Sequence, residues 1–243
     1  MPCCDSGLHF YLRHAYFKAL KLKLHTDIDS IRSIAKPIVT IGTFDGVHLG
    51  HRAIIDRLNE IAAQEGGESV LLTFFPHPRT VLSTSKSIDL LSTMEERLAL
   101  LDEAGLQHVI IHPFTIEFSR ISALEYVRDL LVNRIGIHYA VVGYDHRFGR
   151  NREGDIVLLK ELAELYEFSV EEISAQMIAE VQVSSTKVRK ALREGSVEKV
   201  LRYLGHDYSM TGTVVKGDGR GKGLGFPTAN LLLDNQDKLM PGI

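Results

Sequence analysis

Short runs of β-branched and apolar residues alternate along this chain with segments whose apolar residues recur at helical spacing. Pro37-Ile-Val-Thr-Ile-Gly-Thr43 is a run of the first kind and predicts a buried strand. From Leu49 to about Ala63 the period changes. Ile54, Ile55, Leu58, Ile61 and Ala62 fall on one helical face, and Gly66-Gly67 stops the helix. Ser69–Phe75 predicts a second strand, His108–His112 a third, His138–Gly143 a fourth and Phe168–Ile173 a fifth. Between them lie predicted helices over Thr93–Ala104, Ser122–Val132 and Asp155–Tyr166. The first two open with capping boxes, Thr93 with Glu96 and Ser122 with Glu125.

This rhythm predicts an α/β, Rossmann-like parallel sheet with helices on both faces, which binds ligands beyond the carboxyl ends of its strands. Gly, His and Asp residues gather at those ends: after Ile41, after Phe75 and after Val142. Two further helices, Ser185–Arg193 and Ser196–Leu204, end in Gly205. Beyond about residue 205 the pattern turns β-rich. Met210–Val215 and Asn230–Leu233 are strand candidates around a glycine-rich run, Gly217–Gly225. These last residues are too few for an independent core of ordinary stability. The expected division is an extension over 1–20, a nucleotide-binding α/β domain over 21–204 and the start of a second domain over 205–243.

Composition narrows the picture without redirecting it. The 243 residues are 44% hydrophobic and 24% charged, an ordinary globular balance. A net charge of −3 argues against a protein organised around a nucleic-acid backbone. The two cysteines, Cys3 and Cys4, are adjacent and give no disulfide framework. No apolar run reaches membrane-spanning length, and no secretory segment opens the chain. A cytoplasmic, membrane-free protein is expected.

The chemistry centres on Gly42-Thr-Phe-Asp-Gly-Val-His-Leu-Gly-His51, between the first strand and its helix. Glycines there let the backbone approach a ligand, and a helix N-terminus offers free N–H groups to phosphate. His48 and His51, three apart, share a face of the first turn, and Gly50 clears a side chain from that surface. Two imidazoles so placed can donate to a phosphate whose charge grows in a transition state. The bland alternative is a pair of helix-start histidines with no role. A zinc site lacks a third ligand nearby. A second candidate, Val183-Ser-Ser-Thr-Lys-Val-Arg189, has Ser185 as the expected N-cap, with Thr186, Lys187 and Arg189 adding donors. Taken alone, it also reads as a capped surface helix.

His48-Leu-Gly-His51 followed by a helix, with the later Ser184-Ser-Thr-Lys-Val-Arg189, resembles the HxGH nucleotidyltransferases. Thr40–His51, Thr73-Phe-Phe-Pro-His-Pro78 and Gly143-Tyr-Asp-His-Arg-Phe-Gly149 together resemble the prokaryotic bifunctional riboflavin kinase/FMN adenylyltransferases, the FAD synthetases. Gly225-Phe-Pro-Thr-Ala-Asn230 resembles the riboflavin kinase signature of the same family. The resemblance implies an adenylyl transfer from ATP to FMN, giving FAD and pyrophosphate, with Mg²⁺ carried by ATP. It implies that His48, His51 and Arg189 are catalytic. Gly42, Thr43, Phe44, Asp45, Gly46, Gly50, Ser185 and Thr186 would complete the ATP site. Phe74, His77, Asp145 and Arg147 would line the FMN side. His146 stands where the family has Phe. Phe74 and Phe75 alternate across a strand, one toward core and one toward pocket. Lys222, Thr228 and Asn230 would belong to a β-barrel kinase domain. The family's kinase module extends past Ile243, so kinase activity is not expected of the chain as given. Two alternatives stay open: a nucleotidyltransferase for another phosphate acceptor, such as phosphopantetheine, or a non-catalytic flavin- or nucleotide-binding protein.

Overall fold

A computed structural model describes residues 20–26, 28, 31, 34–83, 88–174, 183–223, 225, 226, 228–233, 235 and 237–242. Apart from Leu20, the expected extension over 1–20 lies outside these residues. The main sheet has six parallel strands: β1 (Lys23–His25), β2 (Pro37–Ile41), β3 (Glu68–Phe75), β4 (His108–Pro113), β5 (Tyr139–Gly143) and β6 (Ser169–Ile173). Their spatial order is β1-β4-β3-β2-β5-β6. The chain therefore runs outward from β2 through β3 to β4, then returns to the other side of β2 for β5 and β6. That reversal beside β2 is the place where such sheets bind ligands. β1 was not predicted. Its three residues carry no alternation to read, and only pairing to β4 makes them a strand.

β2 is buried throughout, and its side chains alternate between two cores. Ile38 packs with Leu71, Val109 and Val141 against α1 (Leu49–Glu65) and α3 (Met94–Glu103). Val39 and Ile41 pack on the opposite face with Val70, Leu72 and Ala140. There they meet α4 (Ala123–Glu125), which continues as a π-type helix over Tyr126–Ile135, and α5 (Ile156–Tyr166). Each fully buried Leu or Ile in these layers contributes roughly 2 kcal/mol of hydrophobic stabilisation.

The helix boundaries follow local signals. α1 starts at N-cap His48 and stops at Gly66 in the left-handed conformation. Both capping boxes form, at Thr93/Glu96 and Ser122/Glu125. The short α2 (Pro78–Leu82) follows N-cap His77. α6 (Ser185–Arg193) and α7 (Val197–Leu204) pack together in a third, smaller core with Leu91. One expectation is corrected here. The N-cap of α6 is Ser184, whose hydroxyl accepts from the Lys187 amide at 3.3 Å, and not Ser185. Two adjacent serines compete for the cap, and Ser185 is drawn elsewhere, as described below.

Beyond Gly205 lie β7 (Gly212–Val215), α8 (Arg220–Gly223) and β8 (Asn230–Leu233), with β7 and β8 antiparallel. Val214, Leu231 and Leu232 are exposed. Residues 237–239 return to the α/β unit: Lys238 bridges Leu90 in parallel register, and Leu239 is buried against the α6–α7 core.

Candidate active site

The turn from β2 to α1 has an unusual backbone. Phe44, Gly46 and Val47 all have positive φ, at 47°, 81° and 37°. A bulky residue reaches that region only when the surroundings hold it there. The holding group is Asp45, 1% exposed, whose carboxylate faces inward. It accepts from the amides of Leu91 and Ser92 at 3.0 Å each, and from the Ser92 hydroxyl at 3.1 Å. Arg97 Nη2 donates to it at 3.2 Å and Arg189 Nη2 at 2.5 Å. Asp45 is almost fully buried. That burial raises its pKa, but the two guanidiniums beside it lower it further, so it stays ionised.

Neighbouring groups pin the rest of the turn. Arg97 Nη1 donates to the Thr43 carbonyl at 2.9 Å, and the Gly46 amide donates to Ser92 Oγ at 3.0 Å. The Ser185 hydroxyl donates to the Asp45 carbonyl at 3.2 Å, which is why it does not cap α6. Gly42 donates its amide to the Leu72 carbonyl at 3.1 Å, and Phe44 is buried with its ring stacked on His51 at 4.5 Å between centroids.

This frame aims the histidines. The His48 and His51 rings stack at 3.7 Å between centroids, 12° from parallel. His48 Nδ1 accepts from the His51 amide at 3.2 Å. That bond fixes His48 as the tautomer with its proton on Nε2, leaving Nε2–H to donate outward. Burial lowers the His48 pKa to about 4 and drives that of His51 well down. Both rings are therefore neutral donors near neutral pH. His51 Nδ1 is buried with no hydrogen-bond partner among the described residues. The glycine at position 50 allows a close approach: a Cβ there would sit 3.3 Å from the His48 ring, tighter than most side-chain contacts.

The other expected residues divide. His77 caps α2, accepting from the Arg79 amide at 3.1 Å. Burial lowers its pKa to about 4. Arg189 is buried, held by Asp45 and by the Asp89 carbonyl at 2.7 Å. Thr186 is exposed on the first turn of α6. Phe74 and Phe75 do not divide between core and pocket. Phe74 packs in an aromatic group with His112, Phe114 and Phe118 on one sheet face, and Phe75 packs against the core of the other. Asp145 is exposed in the turn after β5. Arg147 pairs with Asp155 at 3.0 Å, and Asp155 caps α5. His146, where the family has Phe, stacks on Phe148 at 5.8 Å and 21°. Thr228 and Asn230 are exposed, Asn230 against Gly217, and the Lys222 side chain lies outside the described residues.

Two functional residues escaped the sequence reading, Ser92 and Arg97. Their signal was a buried charge: Arg97 lies on the apolar face of α3 with Met94, Leu98 and Leu101. Among the described residues no group of three or more His, Cys, Asp or Glu side chains could hold a metal ion. Asp45 itself is committed to two arginines. Nor is any helix among them long and apolar enough to cross a membrane.

Fold and site together define an α/β protein with a stacked histidine pair, held by a buried charged frame, at the first strand-to-helix turn beside the sheet's reversal. The FAD synthetase family model matches residues 31–187 and the riboflavin kinase model residues 204–243, and this chain belongs to the FAD synthetase family. A bifunctional riboflavin kinase/FMN adenylyltransferase of Listeria monocytogenes is 37% identical over 205 residues, covering 84% of this chain and 64% of that relative. The Escherichia coli K12 protein of the same description is 35% identical, covering 85% and 66%. The chain thus spans about two thirds of the length of these relatives. A crystal structure of a Streptococcus pneumoniae protein described as a macrolide-efflux protein has the same fold, with a TM-score of 0.79 at 24% identity, over 92% of this chain and 72% of that one.

Proposed function

We propose that the chain transfers the adenylyl group of ATP to the phosphate of FMN, giving FAD and pyrophosphate. The observation that carries this reading is the stacked, neutral His48–His51 pair at the start of α1, with its donors fixed by the Asp45 frame. An FMN phosphate oxygen attacks the α-phosphorus and the bond to the bridging oxygen of pyrophosphate breaks. His48 Nε2–H and the α1 N-terminus donate to the α-phosphate oxygens as their charge grows. His51 is placed to donate beside them. Such preorganised donors lower the barrier without a covalent enzyme intermediate. Arg189 lies one hydrogen bond away from this region, with Ser185 and Thr186 on the same helix turn, and they serve the departing pyrophosphate. His77, Phe74, Asp145 and Arg147 lie on turns and strand ends of the same sheet edge and serve the FMN side.

Mg²⁺ carried by ATP would neutralise phosphate charge, and Asp45, already paired with two arginines, would not be free to hold it. The α/β unit over 21–204 is the adenylyltransferase, and 205–243 carries the riboflavin kinase family's opening strands. A cytoplasmic location, with ATP and FMN as small-molecule partners, fits this chemistry.

The acceptor is tested by offering FMN, phosphopantetheine and phosphocholine in separate reactions with ATP and Mg²⁺. Pyrophosphate release with FMN alone is the expected result. Release with another acceptor and not with FMN overturns the assignment.

A further inference from the structure

The strained turn over residues 44–47 is held mainly by groups from α3 and α6, but one of its carbonyls is held from much further along the chain. His206, just past the Gly205 cap of α7, places Nε2 3.0 Å from the Gly46 carbonyl oxygen. Nδ1 of the same ring lies 2.9 Å from the Asp207 carbonyl oxygen, so a neutral ring donates to one carbonyl at a time, and the bond to Gly46 belongs to the tautomer with its proton on Nε2. Gly46 is then fixed at both ends, its amide on Ser92 Oγ and its oxygen on His206. Two residues later comes His48.

The segment that follows His206 is tied back to the α/β unit. Tyr208 donates to the Leu239 carbonyl at 2.7 Å. The Leu90 amide donates to the Asp237 carbonyl at 2.7 Å, and the Leu239 amide to the Leu90 carbonyl at 2.8 Å. Lys238, 5% exposed, pairs with Glu96 of the α3 capping box and lies 4.8 Å from the Tyr208 ring centroid. Leu239 packs in the same core as Leu91, whose amide is bonded to Asp45. The segment matched to the riboflavin kinase family is thereby tied, through backbone and buried charge, to the loop that carries the histidine pair.

We infer that His206 is a positioning residue for adenylyl transfer: its bond to the Gly46 carbonyl holds the turn that aims His48 and His51. The inference rests on the adenylyl-transfer reading for its rate effect, but not for its effect on the loop. Removing the bond frees a turn whose backbone is held away from its preferred conformations, and a misplacement of that kind slows chemistry more than it weakens acceptor binding.

The test compares the full chain with His206→Ala and His206→Gln, reading FAD formation and the hydrogen exchange of the Gly46, Val47 and His51 amides. For alanine, kcat should fall about ten-fold with KM for FMN within about two-fold of wild type, and the loop amides should exchange about ten-fold faster. Glutamine, which keeps a donor, should retain at least roughly a third of wild-type kcat and slow exchange. Wild-type kcat and exchange in the alanine variant overturn the inference. So does a folded glutamine variant as slow as alanine, and glutamine alone decides if alanine does not fold. If folded wild type makes no FAD, the functional reading falls, while the exchange comparison still judges His206.

Discussion

Two turns leave the same edge of the sheet with similar composition and opposite treatment. One is Gly42-Thr-Phe-Asp-Gly46 after β2, and the other is Gly143-Tyr-Asp-His-Arg-Phe-Gly149 after β5. Each has an aromatic residue followed by aspartate. Asp45 is buried on two arginines and two amides, whereas Asp145 is exposed. Phe44 is buried against His51, whereas Tyr144 is 48% exposed. The β2 turn is built before any ligand arrives, as charge stabilisation of a phosphate requires. In the β5 turn Tyr144 and Asp145 face outward, while Arg147 pairs with Asp155 and His146 stacks on Phe148. The same pair of residue types is therefore built into the scaffold in one turn and left on the surface in the other.

The sharpest way to break this contrast is to remove both aspartates in turn. Asp45→Ala strands two buried guanidiniums and should destabilise the fold by about 3–5 kcal/mol, read as a lowered urea midpoint. Asp145→Ala should change stability by no more than about 0.5 kcal/mol. Equal effects would mean that the two turns are not differently built.

Next comes the histidine pair. His51→Ala should lower kcat for FAD formation by about 10²–10³-fold while FMN affinity stays within about two-fold. Parallel losses of both would make His51 structural. Gly50→Ala presses a methyl group on the His48 ring and should cost about ten-fold in kcat with folding intact.

A smaller effect separates the turns by acid. Burial holds His48, His77 and His146 at about 4, against 6.5 for an ordinary histidine. Above pH 6.5 they are neutral in both folded and unfolded states. Between 6.5 and 4 the unfolded chain takes up protons that the folded one does not, at these three and at His51, so stability falls, by a slope of up to roughly four protons from this set. Urea melts at pH 7 and pH 5 check the sign. Least of all, His146→Phe keeps the stack on Phe148 and removes a buried Nε2 that has no partner. It should stabilise the fold by about 1 kcal/mol.

Much of this was legible in the order of residues. Alternation placed β2 to β6, and helical spacing placed α1, α3, α5 and α7, because those signals are local. Gly50 and the histidine pair were legible for the same reason. The frame was not. Arg97, Ser92 and His206 reach the loop from 46 to 160 residues away, and no local period encodes such a partner. The expectation of Ser185 as the N-cap failed likewise, since the Asp45 carbonyl that captures Ser185 lies 140 residues off.

The central claim is that the histidine loop transfers an adenylyl group, and labelled ATP tests it most directly. With ATP labelled at the α-phosphorus, or separately at the γ-phosphorus, and FMN as acceptor, the account predicts α label in FAD and γ label in pyrophosphate. The α label remaining in ATP or AMP while FMN is recovered unchanged, with folded protein present, would contradict it.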